Sequence, residues 1–140
     1  MKHFRLLAGA LACTAILAGC STSRPLFVPP EQNMAASLPT SEVRSAIITA
    51  ALSRHWRIVS EEPGVITLAY PSNARSAKYE LTVVVHHTDK SYKIDYASSR
   101  GLDEKANCEG TRPCVHRNVN RWIANLNQDI KRELAIAAVK

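Results

Sequence analysis

The sequence predicts an α+β fold, a two-layer sandwich in which an antiparallel sheet of three to four strands is covered by two helices. Two patterns carry this prediction. Apolar and polar residues alternate through much of residues 55–99, and the flanking segments have apolar residues at steps of three and four. A sheet with one apolar face requires a cover, which the two amphipathic helices supply. The predicted order is α-β-β-β-β-α in a single domain.

The first twenty residues, MKHFRLLAGALACTAILAGC, have the organisation of a secretory signal peptide. Lys2 and Arg5 form a short basic start, and the apolar run at 6–17 is shorter than the ~20 residues of a membrane-spanning helix. The run ends in Leu-Ala-Gly-Cys, which resembles the bacterial lipobox. In proteins of that class the preceding segment, here residues 1–19, is removed, and Cys20 becomes the lipidated first residue, stably anchored by more than one acyl chain.

The predicted cellular compartment limits which molecules the protein can bind. An aspartate after the lipidated cysteine tends to retain such proteins at the inner membrane, and Ser21 in that place favours the inner leaflet of the outer membrane, facing the periplasm. The chain is basic, with a formal net charge of +6. A basic chain often binds nucleic acid, but this location argues against it. The accessible partners are anionic lipid head groups, lipopolysaccharide phosphates, the acidic glycan of peptidoglycan, or another envelope protein.

Residues 20–39 are predicted to form an extended tether between the membrane and a domain that spans residues 40–140. The segment has no sustained periodicity, and it contains four prolines, which fix φ and remove backbone donors: Pro25, Pro29, Pro30 and Pro39. At ~3 Å per residue it would hold the domain up to about 50 Å from the bilayer. Alternatively, Leu26, Phe27 and Val28 pack on the domain or enter the lipid.

The first helix is expected to run from Thr40 or Ser41 to about Arg54. Either hydroxyl residue can cap it, and Glu42 places a negative charge in the first turn, where the helix dipole favours it. Its apolar residues recur at helical spacing: Val43, Ile47, Ala50 and Ala51.

Four strand candidates follow this helix. Residues 55–60 are the least regular, which leaves open whether they join the sheet, and a Glu-Glu-Pro-Gly turn separates them from residues 65–70. Residues 78–87 and 91–99 alternate most clearly. Their inward-facing residues are Tyr79, Leu81, Val83, Val85, Tyr92, Ile94 and Tyr96. The connecting turns are short, so neighbouring strands should pair as an antiparallel meander.

The last third of the chain is expected to contain a polar loop at 100–113 and a long helix from about Cys114 to Val139. An apolar stripe runs along this helix: Val115, Val119, Trp122, Leu126, Ile130 and Leu134. Trp56 and Trp122 both occupy apolar positions of their patterns, which favours a place in the core over a sugar-binding platform.

A set of positions from Ser41 to about Leu134 matches a known pattern. They are Ile47, Ile48, Leu52 and Trp56, then Pro63, Gly64 and Ile66, then Tyr92, Ile94, Tyr96 and Ser98, and finally Val115, His116, Asn120, Trp122, Ile123 and Leu126. This pattern resembles a family of small proteobacterial lipoproteins of the periplasm and outer membrane, for which no activity is established. The chain departs from it at His55, Val119 and residues 98–102. The resemblance implies the fold and the location, and it adds no mechanism.

Cys108 and Cys114 are predicted to form a disulfide. Two cysteines this close should pair in the oxidising periplasm, and the loop between them contains a glycine and a proline that help it turn back. A thiol-based enzyme would need a cysteine held reduced. A zinc site would need reduced thiols and a fourth ligand, and the neighbouring His86 and His87 point to opposite faces of a strand. No metal is therefore expected.

His116 is the remaining candidate for chemistry. It should lie one turn before Asn120 on the last helix and near the loop after the last strand, where Tyr96 and Ser98 would complete a polar site. A Ser–His pair would also need an orienting acid and an oxyanion hole, and the sequence lacks a Gly-x-Ser-x-Gly elbow. A structural histidine that hydrogen-bonds the loop is therefore favoured, and no catalytic residue is assigned.

Two functions from different classes remain. The first is a non-enzymatic anchored domain that binds another envelope component, either at a sheet edge or at the basic, asparagine-rich face of the last helix. That face consists of Arg117, Asn118, Arg121 and Asn125. The second is a small ligand-binding or hydrolase-like domain that uses the polar site around His116. Neither function implies a cofactor. A structural lipoprotein, needed only under envelope stress, is a third interpretation.

Overall fold

The computed structural model describes residues 21–73 and 77–140, so the signal peptide and Cys20 lie outside the described residues. Within these ranges the elements are β1 (Ser23–Pro25), β2 (Gln32–Asn33), α1 (Thr40–Ser53), β3 (Arg57–Glu62), β4 (Val65–Tyr70), β5 (Glu80–His87), β6 (Ser91–Arg100), β7 (Lys105–Glu109), β8 (Arg112–His116) and α2 (Arg117–Ala137). The strands form two antiparallel sheets, so the α+β prediction is confirmed, but the layout differs from a single four-stranded meander.

The larger sheet has five strands in the order β2-β6-β5-β4-β3. Its four consecutive strands β3 to β6 pair as the predicted meander. The irregular segment after α1 does join the sheet, as β3, with a bulge between Ile58 and Ser60 that interrupts its alternation. The strand at the other edge, β2, was not predicted, because two residues are too few to show a period.

A single apolar core lies between the two helices and one face of the larger sheet. The helices contact each other and cover the inward-facing residues of β4, β5 and β6, as period-two alternation requires. The buried residues include Val43, Ile47, Ala50, Ile66, Leu68, Leu81, Val83, Val85, Ile94, Val119, Ile123, Leu126 and Ile130. At its edge the hydroxyl of Tyr92 donates to Oδ1 of Asn127 (2.7 Å).

The prediction of an extended tether is wrong for residues 21–39, because this segment folds onto the domain. β1 pairs with β8, and β2 pairs with β6. Between and after them, backbone N–H groups of Leu26, Met34 and Leu38 donate to carbonyls elsewhere in the domain, each at 2.8 or 2.9 Å. The prolines do not prevent this arrangement. An edge strand pairs on one side only, so a proline is tolerated where its missing N–H would not take part in the pairing.

The predicted polar loop at 100–113 is in fact largely a β-hairpin. β7 and β8 pair with each other, and β8 also pairs with β1, which makes a second sheet in the order β1-β8-β7. The Cys108–Cys114 disulfide joins the two strands of the hairpin, with a Cα–Cα distance of 5.4 Å. The disulfide prediction is therefore confirmed. The hairpin was missed because every residue of β7 is exposed, so no apolar alternation marks it.

α1 begins at Thr40, within the predicted bounds, but its cap differs from the prediction, and α2 begins later than predicted. α1 has Pro39 at its cap position and no side-chain cap, and the Pro39 carbonyl accepts the N–H groups of Glu42 and Val43. α2 begins at Arg117 instead of Cys114, because the preceding residues are paired in β8. Within the described ranges, neither helix has the length and hydropathy of a membrane-spanning segment.

Candidate functional site

A cleft of about 370 Å³ lies between the end of α1, the end of β4 and the first turns of α2. Among the described residues, six line it: Arg54, Trp56, Tyr70, Arg121, Trp122 and Asn125. We call it the aromatic-basic cleft. Arg54 and Trp56 follow α1, Tyr70 ends β4, and α2 supplies the other three, so the cleft depends on the tertiary fold and not on one local motif.

The turn after α1 places Trp56 at the base of the cleft. Arg54 ends the helix, His55 has a positive φ of 61°, and the N–H of Trp56 donates back to the carbonyl of Ala51 (3.0 Å). This reversal directs the indole under the helix, where it is only 2% exposed. The carbonyl of His55 also accepts the N–H of Ser72 (2.8 Å), which fixes the turn against the segment after β4.

Aromatic rings form a continuous wall through the cleft. The centroid distances are 5.4 Å between Trp56 and Tyr70, 4.7 Å between Tyr70 and Trp122, and 5.4 Å between Trp122 and Tyr79. The last pair is stacked, with an angle of 17° between the ring planes. Trp122, predicted to lie in the core, is only partly buried. The wall therefore presents aromatic surface to solvent while its inner end joins the core.

The two arginines of the cleft have different partners. Arg54 donates through Nε and Nη2 to the carboxylate of Asp129, which is 2% exposed and also contacts Arg132 at 3.2 Å. The hydrogen bond and the charge of Asp129 raise the pKa of Arg54 above its ordinary value. Arg121 donates to Oδ1 of Asn118 (3.0 Å) and contacts no carboxylate among the described residues. The charge of Arg121 is therefore available to a ligand.

Hydrogen-bond donors and aromatic rings dominate the lining of the cleft. Its lining contains two guanidiniums, two indoles, a phenol and an amide, and these groups are mainly hydrogen-bond donors. The described residues that line it include no carboxylate, imidazole or thiol that would act as a nucleophile or general base. Within the described ranges, no group of three or more His, Cys, Asp or Glu side chains is placed to hold a metal ion.

The polar site predicted around His116 is distributed over separate contacts. His116 ends β8 and caps α2: its Nδ1 accepts the N–H of Asn118 (3.2 Å), and its own N–H donates to the carbonyl of Leu102 (2.8 Å). Its contact with the loop was expected, and its place before the helix was not. Asn120 points to the N-terminal segment, where Nδ2 donates to the carbonyl of Pro25 and Oδ1 accepts the N–H of Phe27, both at 2.9 Å.

Tyr96 and Ser98 lie at the end of β6 with other partners. The Tyr96 hydroxyl donates to the carboxylate of Glu104 (2.6 Å) and lies 2.8 Å from the hydroxyl of Ser99, whereas Ser98 is exposed. Burial, aided by Glu104, raises the pKa of Tyr96 to about 12. No contact among the described residues joins Tyr96 or Ser98 to His116.

The basic face predicted on the last helix divides into two parts. Arg121 and Asn125 line the aromatic-basic cleft, while Arg117 and Asn118 lie on the preceding turn, near the N-terminal segment. The sequence pattern identified Arg121 and Asn125, which lie on α2 and line the cleft. It missed Arg54 and Tyr70, which come from other elements and become neighbours only in the folded chain; a Tyr-Pro pair at a strand end was the available signal.

Two further cavities are less specific. A groove of about 330 Å³ between residues 32–38 and the end of α2 is largely apolar, with Lys131 as its charged residue. A shallow cavity beside the start of α1 includes His87, which is 8% exposed. Both ring nitrogens of His87 lack a hydrogen-bond partner among the described residues. Burial, and secondarily the charge of Arg44, lowers the pKa of His87 below its ordinary value.

Comparison of the chain with protein-family models, with curated proteins and with solved structures finds no match, so the functional argument rests on the residues of the chain itself.

Proposed function

We propose that the protein is a lipid-anchored, non-enzymatic domain of the bacterial envelope that binds an anionic saccharide in the aromatic-basic cleft. It is held at the inner leaflet of the outer membrane and faces the periplasm. The anchor is supported by the signal peptide and by Cys20 in its lipobox context. The binding role is supported by the cleft.

The composition of the cleft is the observation that carries the binding role. Arg121 has no carboxylate partner among the described residues, and the nearest buried carboxylate, Asp129, is already bound by Arg54 and Arg132. A donor-rich cleft with an unpaired guanidinium favours an anion over a cation, since charge-assisted hydrogen bonds from arginine to phosphate or carboxylate are among the strongest in proteins.

The aromatic wall narrows the ligand class further. Tyr70 and Trp122 are partly exposed, and their ring planes are tilted by 43° to each other. The cleft therefore presents two aromatic ring faces to a ligand. A sugar ring has apolar faces that pack on such surfaces and hydroxyls that pair with the surrounding donors. A saccharide carrying phosphate or carboxylate fits both features, and lipopolysaccharide and peptidoglycan are the sources within reach of an envelope protein.

The test is a titration of the full chain, purified in detergent, with lipopolysaccharide in one arm and soluble peptidoglycan fragments in the other. Trp56 and Trp122 line the cleft, so their fluorescence reports binding. Arg121→Gln should weaken binding about tenfold or more, because a hydrogen bond to a charged group contributes roughly 1.5–3 kcal/mol. Arg117→Gln is the matched control: it lies one turn away on the same helix, does not line the cleft, and should bind like the parent.

The outcomes separate the parts of the proposal. Binding in one arm only identifies the source of the saccharide. Equal weakening by the two arginine variants, or no binding of the parent chain in either arm, contradicts the cleft as the site. The anchor is tested independently by the intact mass of the purified protein, which should correspond to a chain beginning at Cys20 with acyl chains attached. An unacylated mass contradicts the anchor.

The contacts of His116 give no support to the catalytic alternative. A hydrolase would need its imidazole free to accept a proton from a nucleophile, whereas Nδ1 accepts the N–H of Asn118 at the start of α2. A His116→Ala variant should therefore bind the saccharide like the parent.

A further inference from the structure

The N-terminal segment is bound to the rest of the domain beside the start of α2. The N–H of Arg117 donates to the carbonyl of Thr22, and the N–H of Leu26 donates to the carbonyl of Pro113, both at 2.8 Å. Between these two bonds, β1 pairs with β8. At ~3.3–3.6 Å per residue, a lipidated residue two positions before Thr22 is no more than about 7 Å from this fixed point along the chain. The domain is therefore not held away from the bilayer by a long spacer.

The arginines beside this point are unlike most others in the described chain. Five arginines elsewhere contact carboxylates: Arg44, Arg54, Arg57, Arg112 and Arg132. Arg24 and Arg117 have no carboxylate partner among the described residues. The guanidinium of Arg24 donates to the backbone carbonyls of Ser21 (3.0 Å) and Ser23 (2.9 Å). Two positive charges are thus left for an anion outside the chain.

An exposed aromatic residue lies three residues after Arg24, and its backbone is bound to the first turn of α2, which begins at Arg117. Phe27 is 57% exposed, although its backbone is fixed by Asn120, whose side chain bonds the N–H of Phe27 and the carbonyl of Pro25. The backbone therefore needs no further ordering to present the ring. An apolar side chain flanked by basic ones is the combination that binds the interface of a bilayer, where the ring enters the head-group boundary and the charges meet phosphates.

We infer that Thr22, Arg24, Phe27 and Arg117 form a membrane-contact face, here called the anchor face, which rests on the surface of a bilayer containing anionic phospholipid. The inference depends on the lipidation of Cys20 in the proposed function, because the acyl chains bring this face to the bilayer. Arg24 and Arg117 contact lipid phosphates, and Phe27 enters the head-group boundary. The domain then has one orientation, and α2, with 21 residues and a length of about 30 Å, begins at the membrane.

The first test measures the depth of a residue in the bilayer. Phe27→Trp and Val59→Trp each add one indole at an exposed apolar position, and Val59, 49% exposed on the edge strand β3 of the five-stranded sheet, is the control. The full lipidated chains are reconstituted into vesicles of phosphatidylethanolamine and phosphatidylglycerol, with or without bromine on the acyl chains near the head groups. After subtraction of the parent signal, bromine should quench the indole at 27 at least twice as strongly as the indole at 59.

The second test removes the charges. Arg24→Glu with Arg117→Glu is made in the Phe27→Trp chain, and Lys90→Glu with Lys131→Glu is the control with the same change in net charge at exposed positions elsewhere. The arginine pair should lose half or more of the quenching at 27, and the lysine pair should retain it. Replacing the anionic lipid with phosphatidylcholine should reduce the quenching of the unreversed chain in the same way.

The outcomes distinguish this inference from the proposed function. An acylated protein in which the indoles at 27 and 59 are quenched equally overturns the anchor face and leaves the anchor intact. Quenching at 27 that survives the arginine reversal overturns the role of the two arginines. A protein whose mass shows no acyl chain overturns both the anchor and the anchor face. The saccharide titrations are read in detergent, so they do not depend on any of these results.

Discussion

Each of the two sheets of this protein is stabilised by a different kind of interaction. The five-stranded sheet has one face sealed by two helices, with residues such as Val83 and Ile94 fully or almost fully buried. The three-stranded sheet has an entirely exposed β7, and β8 contributes Val115 to the core. Its other stabilising interactions are backbone pairing, the Cys108–Cys114 disulfide and the side-chain hydrogen bonds of Asn120 to the N-terminal segment. Damage to the first sheet should unfold the domain, whereas damage to the second should open it locally.

The largest effect is expected from a cavity in the five-stranded sheet. Ile94→Ala removes a side chain that is 1% exposed, and large-to-small changes of this kind lower the free energy of unfolding by about 2–5 kcal/mol. Denaturant unfolding of the purified domain measures this. Val59→Ala, at an exposed edge position, should change the free energy by less than about 0.5 kcal/mol. Similar values for the two variants would contradict the dependence of this sheet on its buried face.

A smaller effect is expected when the disulfide is removed. Cys108→Ser with Cys114→Ser should lower the free energy of unfolding by about 2 kcal/mol, as the chain-entropy model gives for so short a loop. Amide hydrogen exchange should accelerate in residues 105–116 at denaturant concentrations where α1 and β5 remain protected. Equal acceleration throughout the domain would mean that the hairpin is not a separately opening unit.

The loss of the Asn120 side chain should act mainly on the N-terminal segment. Asn120→Ala removes the two hydrogen bonds that hold Pro25 and Phe27, which corresponds to roughly 1–2 kcal/mol. Exchange should increase in residues 22–28 before it increases in the hairpin. Gln128→Ala, at an exposed position of the same helix, is the control and should leave both segments unchanged.

His87 is the exception within the five-stranded sheet, because its imidazole is buried and neither ring nitrogen has a hydrogen-bond partner among the described residues. Its pKa is lower in the folded than in the unfolded chain, so the unfolded chain binds the extra proton. Stability should therefore be constant with respect to this group above pH 6.5 and fall as the pH decreases below that value. His87→Leu should raise stability at pH 8 by about 1 kcal/mol and remove this fall.

The control for that prediction is His86→Gln, which changes the exposed neighbouring residue and should keep the fall below pH 6.5. Unfolding curves between pH 5 and pH 8 measure both variants. A His87→Leu protein that retains the full pH dependence would assign the dependence to other groups.

The same division between the sheets explains what the sequence could predict. Strands β5 and β6 were predicted correctly because one face of each is buried, so apolar residues occur at every second position. β1 and β2 have three and two residues and pair through backbone groups, which every sequence possesses. Cys114 and Val115 continue the apolar stripe of α2, although they belong to β8. A period alone could not tell the end of a buried strand from the first turn of a helix.

The candidate site was predictable only where one element supplies it. Arg121 and Asn125 are one turn apart on α2, so the sequence identified that face. Trp56 was assigned to the core and is indeed buried, yet it also lines the cleft. Both roles are compatible, since a large ring can seal the core with one side and meet a ligand with its edge. The proximity of Arg54 to Arg121 follows from the Asp129 contact and the helix packing, which no local pattern encodes.

If the protein is exported and lipidated as proposed, the pairing of β1 with β8 has a consequence for the order of those events. Phe27 and Asn120, which hold the N-terminal segment to α2, are 93 residues apart in the chain. A contact of such long sequence separation forms late, because most of the intervening chain must be present and the loop between the partners must close. If the chain crosses the inner membrane from its N-terminus, the segment beside Cys20 waits unpaired until the C-terminal helix arrives. We expect cleavage and acylation to take place in this interval, on an open segment, and the completed fold to close over it afterwards.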